Sequence, residues 1–210
     1  MRDFPIAVEG FVYIGVLAVV CVVTYLWRPW VVIIPIILLL FVAFFFRNPA
    51  RVIPQDPGLI VSPADGVVQR VEKVYEGDYL HAEAQRVSIF LNIFNVHINR
   101  TPMQGRVEHL DYRKGKFLPA FQEAASAENE QNRLGISNGS HKIMVTQIAG
   151  LIARRVVCWV QPGDEMQRGD RFGLIKFGSC TEVYLPLDIE IEVKKGDQVK
   201  GGETIIGRAK

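Results

Sequence analysis

The sequence predicts a mainly β (α+β) protein: a compact sandwich or barrel of short strands with internally repeated hairpins, preceded by an N-terminal hydrophobic helical hairpin. Three observations carry that prediction. Two uncharged runs of 18 residues stand in tandem near the N-terminus. From Val52 onward, short apolar runs alternate with turn residues. One turn-bearing segment recurs 33 residues further along.

The N-terminal runs are Gly10 to Trp27 and Pro29 to Phe46, with Arg28 alone between them. A helix of that length spans about 27 Å, close to the roughly 30 Å of a hydrocarbon core. A cleavable leader does not fit, because Arg2 is offset by Asp3 and no small-residue cleavage site follows. Residues 1–51 are therefore expected to anchor the chain to a membrane. Pro35 and the short turn are compatible with either a spanning or a re-entrant hairpin. Trp27, Trp30 and the Phe44–Phe46 run mark interfaces, and Arg47 and Arg51 place both termini on the cytoplasmic side of the cell membrane. A domain over residues 52–210 would then work at a bilayer surface, where a lipid head group is within reach. A net charge of +2 gives no electrostatic case for nucleic acid. Cys21, Cys158 and Cys180 lack CxxC or other metal spacing, so neither a disulfide framework nor a metal site is expected.

In the second part, "GLIVSPADGVVQRVEKV", "RVSIFLNIFNVHINR", "GRVEHLDYR", "KIMVTQIAG" and "ARRVVCWV" read as strands. Leu118 to Arg133 is rich in Ala, Glu and Gln and reads as a short helix, a surface element or a lid over a lipid tail. The repeat joins Val160–Ile175 to Val193–Gly207, both V-x-x-G-D-x-(apolar)-x-x-G. Each Gly-Asp supplies a turn residue able to take positive φ between short strands. Biotinyl and lipoyl carrier domains are built from similar hairpins, but their lysine pattern is missing around Lys176. The repeat argues a scaffold and is silent about chemistry.

One stretch is unusual: "LIKFGSCTEVYLP", two strand-like runs flanking Gly178-Ser179-Cys180. A serine there is ordinary at a β-bulge. A serine after glycine has a second option, because its hydroxyl can attack the carbonyl of its own preceding peptide bond. Gly178 tolerates the strained backbone this needs. The resulting ester can eliminate to dehydroalanine, and hydrolysis leaves a ketone, a pyruvoyl group, on the new N-terminus. Such a serine needs a base and an orienting carboxylate. His97, at the end of an apolar strand among amide side chains, is a candidate base. Asp65, in the Pro63–Gly66 turn, is a candidate carboxylate, though an Asx turn accounts for it equally well.

Taken together, "VSPADGVV", "FNVHINRTP", "KFLPAF", "RFGLIKFGS" and "VYLP" resemble the phosphatidylserine decarboxylase proenzyme family in its short bacterial and archaeal form, over the whole chain and in family order. The resemblance implies that Asp65 orients His97, that His97 takes the proton of Ser179, and that the chain breaks between Gly178 and Ser179. Residues 1–178 become a β chain and residues 179–210 an α chain with a pyruvoyl start, so the partners include the protein's own two chains. It further implies a Schiff base between the pyruvoyl ketone and a membrane phospholipid, loss of CO2 from phosphatidylserine, and release of phosphatidylethanolamine in phospholipid biosynthesis. No metal is implied. Phe117, Leu118 and Phe121 are expected to accept part of an acyl chain, and Arg100 to meet the phosphate. Longer family members carry a second histidine beyond the first, whereas here His97 stands alone, and Cys180 replaces an expected basic residue.

Other readings stay open at this level. The substrate could be archaetidylserine. The same Ser, His and Asp could serve a membrane-bound serine hydrolase, or the hairpins could form a carrier- or adaptor-like module without catalysis. A homo-oligomer is compatible with an interfacial enzyme.

Overall fold

The computed structural model describes residues 4–119, 122–151, 155–176 and 179–209. It divides into two units, one ending at Ala50 and one beginning at Arg51.

In the first unit the apolar runs become helices α1 (Val8–Trp27) and α2 (Ile33–Phe45), joined by a 3-10 turn over Pro29–Val32. Pro29 ends α1, because the residue before a proline is pushed out of helical geometry, and Arg28 is extended at φ −151° and ψ 99°. Pro35 lies in the first turn of α2, where its missing N–H leaves no helical bond unmade. The second helix is thus shorter than the apolar run that encodes it. At 20 residues, α1 measures about 30 Å and matches a hydrocarbon core. Most of its large apolar side chains are exposed, and its buried residue is Gly10. A Cβ at Gly10 would come within 2.7 Å of Phe46 Cβ, so the close approach of the helices requires glycine there. Tyr13 stacks on Phe46, and the Ala7 amide donates to the Phe46 carbonyl at 2.8 Å.

The second unit is almost entirely antiparallel sheet. Its strands are β1 (Leu59–Val61), β2 (Gly66–Glu76), β3 (Ala82–Leu91), β4 (Ile98–Arg100), β5 (Gly105–Arg113), β6 (Gln131–Ser137) and β7 (Lys142–Ile148). They continue with β8 (Val156–Cys158), β9 (Glu165–Met166), β10 (Arg171–Ile175), β11 (Ser179–Pro186), β12 (Ile189–Ile191), β13 (Gln198–Val199) and β14 (Ile205–Ala209). Eight of them form one sheet in the order β13-β2-β3-β11-β7-β6-β5-β9. Two three-stranded sheets, β1-β14-β12 and β4-β10-β8, complete the unit. Strand alternation sends Val87, Ile89, Val145, Val183 and Leu185 of the large sheet into one core with Ile60, Phe172 and Ile206 of the small ones. The helix expected between Leu118 and Arg133 is α3 (Glu123–Glu128).

The sheet order reads as a palindrome about β11 and β7, and the match extends to detail. Gly66 opens β2 as Gly105 opens β5. Register shifts fall between Val68 and Arg70 on one side and between Val107 and His109 on the other. Val68 N donates to Asp197 O as Val107 N donates to Asp164 O. The repeated Gly-Asp motifs are the turns that make these contacts. Gly163 and Gly196 take φ of 101° and 97°, and the aspartates beside them accept from the amides of Gln161 and Lys194, each at 2.9 Å. A third copy, Asp170 accepting from Gln167 N at 2.7 Å, closes the turn before β10. The domain is therefore a pseudo-twofold pair of interleaved halves, with the axis passing near the Val183–Val145 pair.

Candidate active site

Ser179 opens β11, opposite Leu91 of β3. It is fully buried, and its Oγ has no hydrogen-bond partner among the described residues. A buried hydroxyl without a partner is costly and calls for an explanation, a catalytic role being one. Along β11 the odd-numbered residues face the core and the even-numbered ones the opposite face. Cys180 consequently packs against Ile148 and Phe90, away from the core side. Burial, reinforced by Glu182, pushes its thiol well above the ordinary value of 9.0, so it stays protonated and does not compete as a nucleophile.

His97 lies immediately before β4 and is buried. Its carbonyl accepts from the amide of Ile175 at 3.1 Å, so it flanks the strand end that leads to Ser179. His97 Nδ1 is 3.0 Å from the carbonyl of Asn95. A carbonyl only accepts, so Nδ1 carries a hydrogen, and in the neutral ring the lone pair is then on Nε2, the tautomer a base needs. A tight loop supplies that carbonyl: Asn95 Oδ1 accepts from Asn92 N and Asn92 Oδ1 from Phe94 N.

Asp65 ends the Ser62–Asp65 turn, which Ser62 closes by donating to Ala64 O. Its carboxylate accepts two contacts from Arg51 Nη2, at 3.0 and 2.9 Å, and the Gly201 amide at 2.8 Å. Among the described residues these are its partners, and no direct bond joins it to His97. The two segments are nonetheless neighbours, since Pro63 O accepts from Arg100 N, three residues along from His97.

Arg100 donates from Nη1 to Gly169 O at 2.8 Å. Burial, with the Arg51 and Arg171 guanidiniums nearby, pulls it down from its ordinary value to about 10. Three arginines thus lie close to Asp65 and Asp170. Phe117 packs with Ala149, Ile175 and Val156, beside the same strand end that His97 flanks. Leu118 is half-buried and bonded through its main chain to Asn129 in both directions. Gly178 and Phe121 lie outside the described residues.

Sequence reasoning singled out Ser179, His97 and Asp65 but passed over the polar side chains between them. Asn99, Gln147 and Asn132 form a buried chain of amides that reaches Thr181, with links of 2.8 to 3.0 Å. The signal was present in part, as amides clustered around His97. Arg51 was read as a membrane-flanking charge, whereas here it is the cation that holds Asp65.

Residues 38–207 match the family model described as phosphatidylserine decarboxylase. Among similar proteins, each named phosphatidylserine decarboxylase proenzyme, one from Carboxydothermus hydrogenoformans is 52% identical over 203 residues, covering 96% of this chain and 95% of the relative. One from Symbiobacterium thermophilum is 47% identical over 211 residues, covering 99% and 97%. One from Geotalea uraniireducens is 47% identical over 209 residues, covering 98% and 97%. A match of this extent, to a family model over residues 38–207 and to relatives about half identical over nearly their whole length, places the chain in the phosphatidylserine decarboxylase family.

Proposed function

We propose that the protein is a self-processing decarboxylase of phosphatidylserine, yielding phosphatidylethanolamine. The observation that carries this reading is the buried, unpartnered Oγ of Ser179 at the head of β11, in a chain of this family. That atom also fits the family's proenzyme character, since among the described residues no hydrogen bond competes for it. His97 Nε2 takes the proton as Ser179 attacks the peptide bond before it, the chain parts between residues 178 and 179, and Ser179 becomes the pyruvoyl start of the α chain. The pyruvoyl ketone supplies an electrophile for the substrate amine and a sink for the electrons left when CO2 departs. His97 then holds the proton returned to the substrate carbon.

Asp65 fixes its turn through Arg51 and Gly201, and that turn supports β4, the strand that follows His97. Arg100, in its arginine cluster, meets the substrate phosphate. Phe117 and Leu118, with Phe121, line the path of an acyl chain. The hydrophobic unit, with α1 as its longest helix, keeps the enzyme at the membrane, with the catalytic unit on the cytoplasmic face.

Intact mass and N-terminal sequencing test the reading. The wild-type chain is expected to give two pieces divided between residues 178 and 179, the smaller one blocked to sequencing, while Ser179→Ala stays whole. An uncut wild-type chain in membranes that decarboxylate phosphatidylserine would overturn self-processing.

A further inference from the structure

The pseudo-twofold arrangement gives each part of the site half an internal counterpart. Asn99, Thr181 and Gln147 stand where the other half has the core residues Ile60, Ile143 and Leu185, so the fold itself does not demand polar groups there. The same comparison picks out one end of the large sheet. Val67 pairs with Phe90, which sets Gly66 level with Leu91. Leu91 faces Ser179, and Gly66 faces Val199. Ser179, Leu91, Gly66 and Val199 thus form one row across β11, β3, β2 and β13, about 14 Å long by three strand spacings. One residue further out stand Asn92, Asp65 and Lys200.

Those three residues, with Asn95 and Thr204, line an open groove of about 640 Å³. That volume is in the range of small-molecule sites. One wall is the loop that holds the candidate base, since Asn95 O accepts from His97 Nδ1. Across the axis an equivalent groove is bordered by Gly105 and Met166, which pair as Gly66 and Val199 do. It has Gln104 and Gln167 in place of Asp65 and Lys200, and it carries two further carboxylates, Glu108 and Glu165.

The groove of the site half offers donors. Asn92 Oδ1 and Asn95 Oδ1 already accept from main-chain amides, which leaves the Nδ2 hydrogens of both. Thr204 Oγ1 accepts from Lys200 N at 2.9 Å and keeps its hydroxyl hydrogen. Asp65, the carboxylate among these residues, is answered by Arg51 and the Gly201 amide. Lys200 is exposed and has no carboxylate partner among the described residues. Arg100 passes the same turn, because a Cβ at Gly202 would lie 3.0 Å from its Cδ. Amide and hydroxyl donors with a cation, around a neutralised carboxylate, suit an oxyanion.

We propose that this groove takes the phosphodiester of the lipid substrate, with Lys200 as its cation, sharing the phosphate with Arg100. In phosphatidylserine only the two serine carbons and the ester oxygen separate the amine from the phosphate. With the amine at residue 179, the phosphate falls partway along the row, and the flexible stem of Lys200 spans the rest. The groove binds and orients, and no bond changes in it. This assignment rests on the decarboxylase reading above.

The test is steady-state CO2 release from phosphatidylserine in neutral detergent micelles by the full-length, processed enzyme. Wild type is compared with Lys200→Gln, Lys200→Arg and Lys195→Gln. Ketone content is counted first, as the hydrazone formed with phenylhydrazine, a reagent without phosphate. Lys200→Gln installs the residue of the equivalent groove, so its hydrazone yield should match wild type. Its KM should rise about tenfold with kcat little changed, the scale of one charge-assisted hydrogen bond. Lys200→Arg should restore most of the affinity. Lys195→Gln makes the same change of net charge on an exposed lysine outside the groove and should leave KM alone. A wild-type KM in Lys200→Gln overturns the proposal, even where inorganic phosphate inhibits wild type alone, a result that would assign the groove to a free anion. An equal rise of KM in Lys200→Gln and Lys195→Gln reduces the effect to bulk surface charge and also overturns it. Wild-type enzyme that forms no hydrazone sinks the decarboxylase reading itself, and the proposal falls with it.

Discussion

At the scale of single residues, direction matters more than identity. Ser179 and Cys180 are adjacent candidate nucleophiles, yet strand alternation puts the serine on the core side and the cysteine on the other face, where burial keeps it protonated. Asp65 and Arg100 show that a charged side chain takes its role from its partners. The arginine is half-buried, its basicity lowered by burial and by two neighbouring guanidiniums, so removing its charge relieves a cost in the free protein. An incoming phosphate would relieve the same cost. Arg100→Gln is accordingly expected to keep its stability and its self-cleavage. Its KM for phosphatidylserine should rise about tenfold or more, the scale of one charge-assisted hydrogen bond, with kcat little changed. Steady-state kinetics on detergent-dispersed lipid check this, and an unchanged KM removes Arg100 from the phosphate site.

Among the elements, the Gly-Asp turns set the geometry. Asp164 and Asp197 close equivalent turns and present equivalent carbonyls to Val107 and Val68. Asp197→Ala and Asp164→Ala should each cost about 1 kcal/mol, the value of one side-chain-to-amide bond, and by nearly equal amounts. Denaturant unfolding of the Ser179→Ala chain measures this, and a large difference between the two would deny their equivalence. The functional asymmetry arises elsewhere, in β4, β7 and β11, where polar residues replace the aliphatic ones of the other half. On the far side of the sheet Ser126 of α3 donates to the buried Glu182 carboxylate of β11 at 2.8 Å, which also accepts from Ser88 and Tyr184. One strand thus carries Ser179 on its core face and a satisfied charge on the other.

For the whole molecule, the division at Ala50 and Arg51 separates an apolar helical unit from the part of the chain that carries every candidate residue of the site. A chain starting at Arg51 should therefore still cleave itself and still decarboxylate dispersed phosphatidylserine. It should lose most of its activity on bilayer vesicles, because α1, with its length and exposed apolar surface, is gone. CO2 release measured on both substrates checks this, and full activity on vesicles would deny the anchor.

The sequence by itself determined the composition of both units and singled out Ser179 as the candidate serine. Uncharged runs can only be apolar helices or core, strand-and-turn texture is local, and Gly-Asp turns are legible because their geometry depends on the two residues themselves. It did not determine that the second apolar run would open with a 3-10 turn and yield a helix of 13 residues. Only the tertiary structure decided that Asp65 is held by Arg51 and Gly201, and that Asn132, Gln147, Asn99 and Thr181 form one chain. These are pairings between residues far apart in sequence, set by strand register across three sheets. Register depends on the packing of the whole core, which no local stretch encodes.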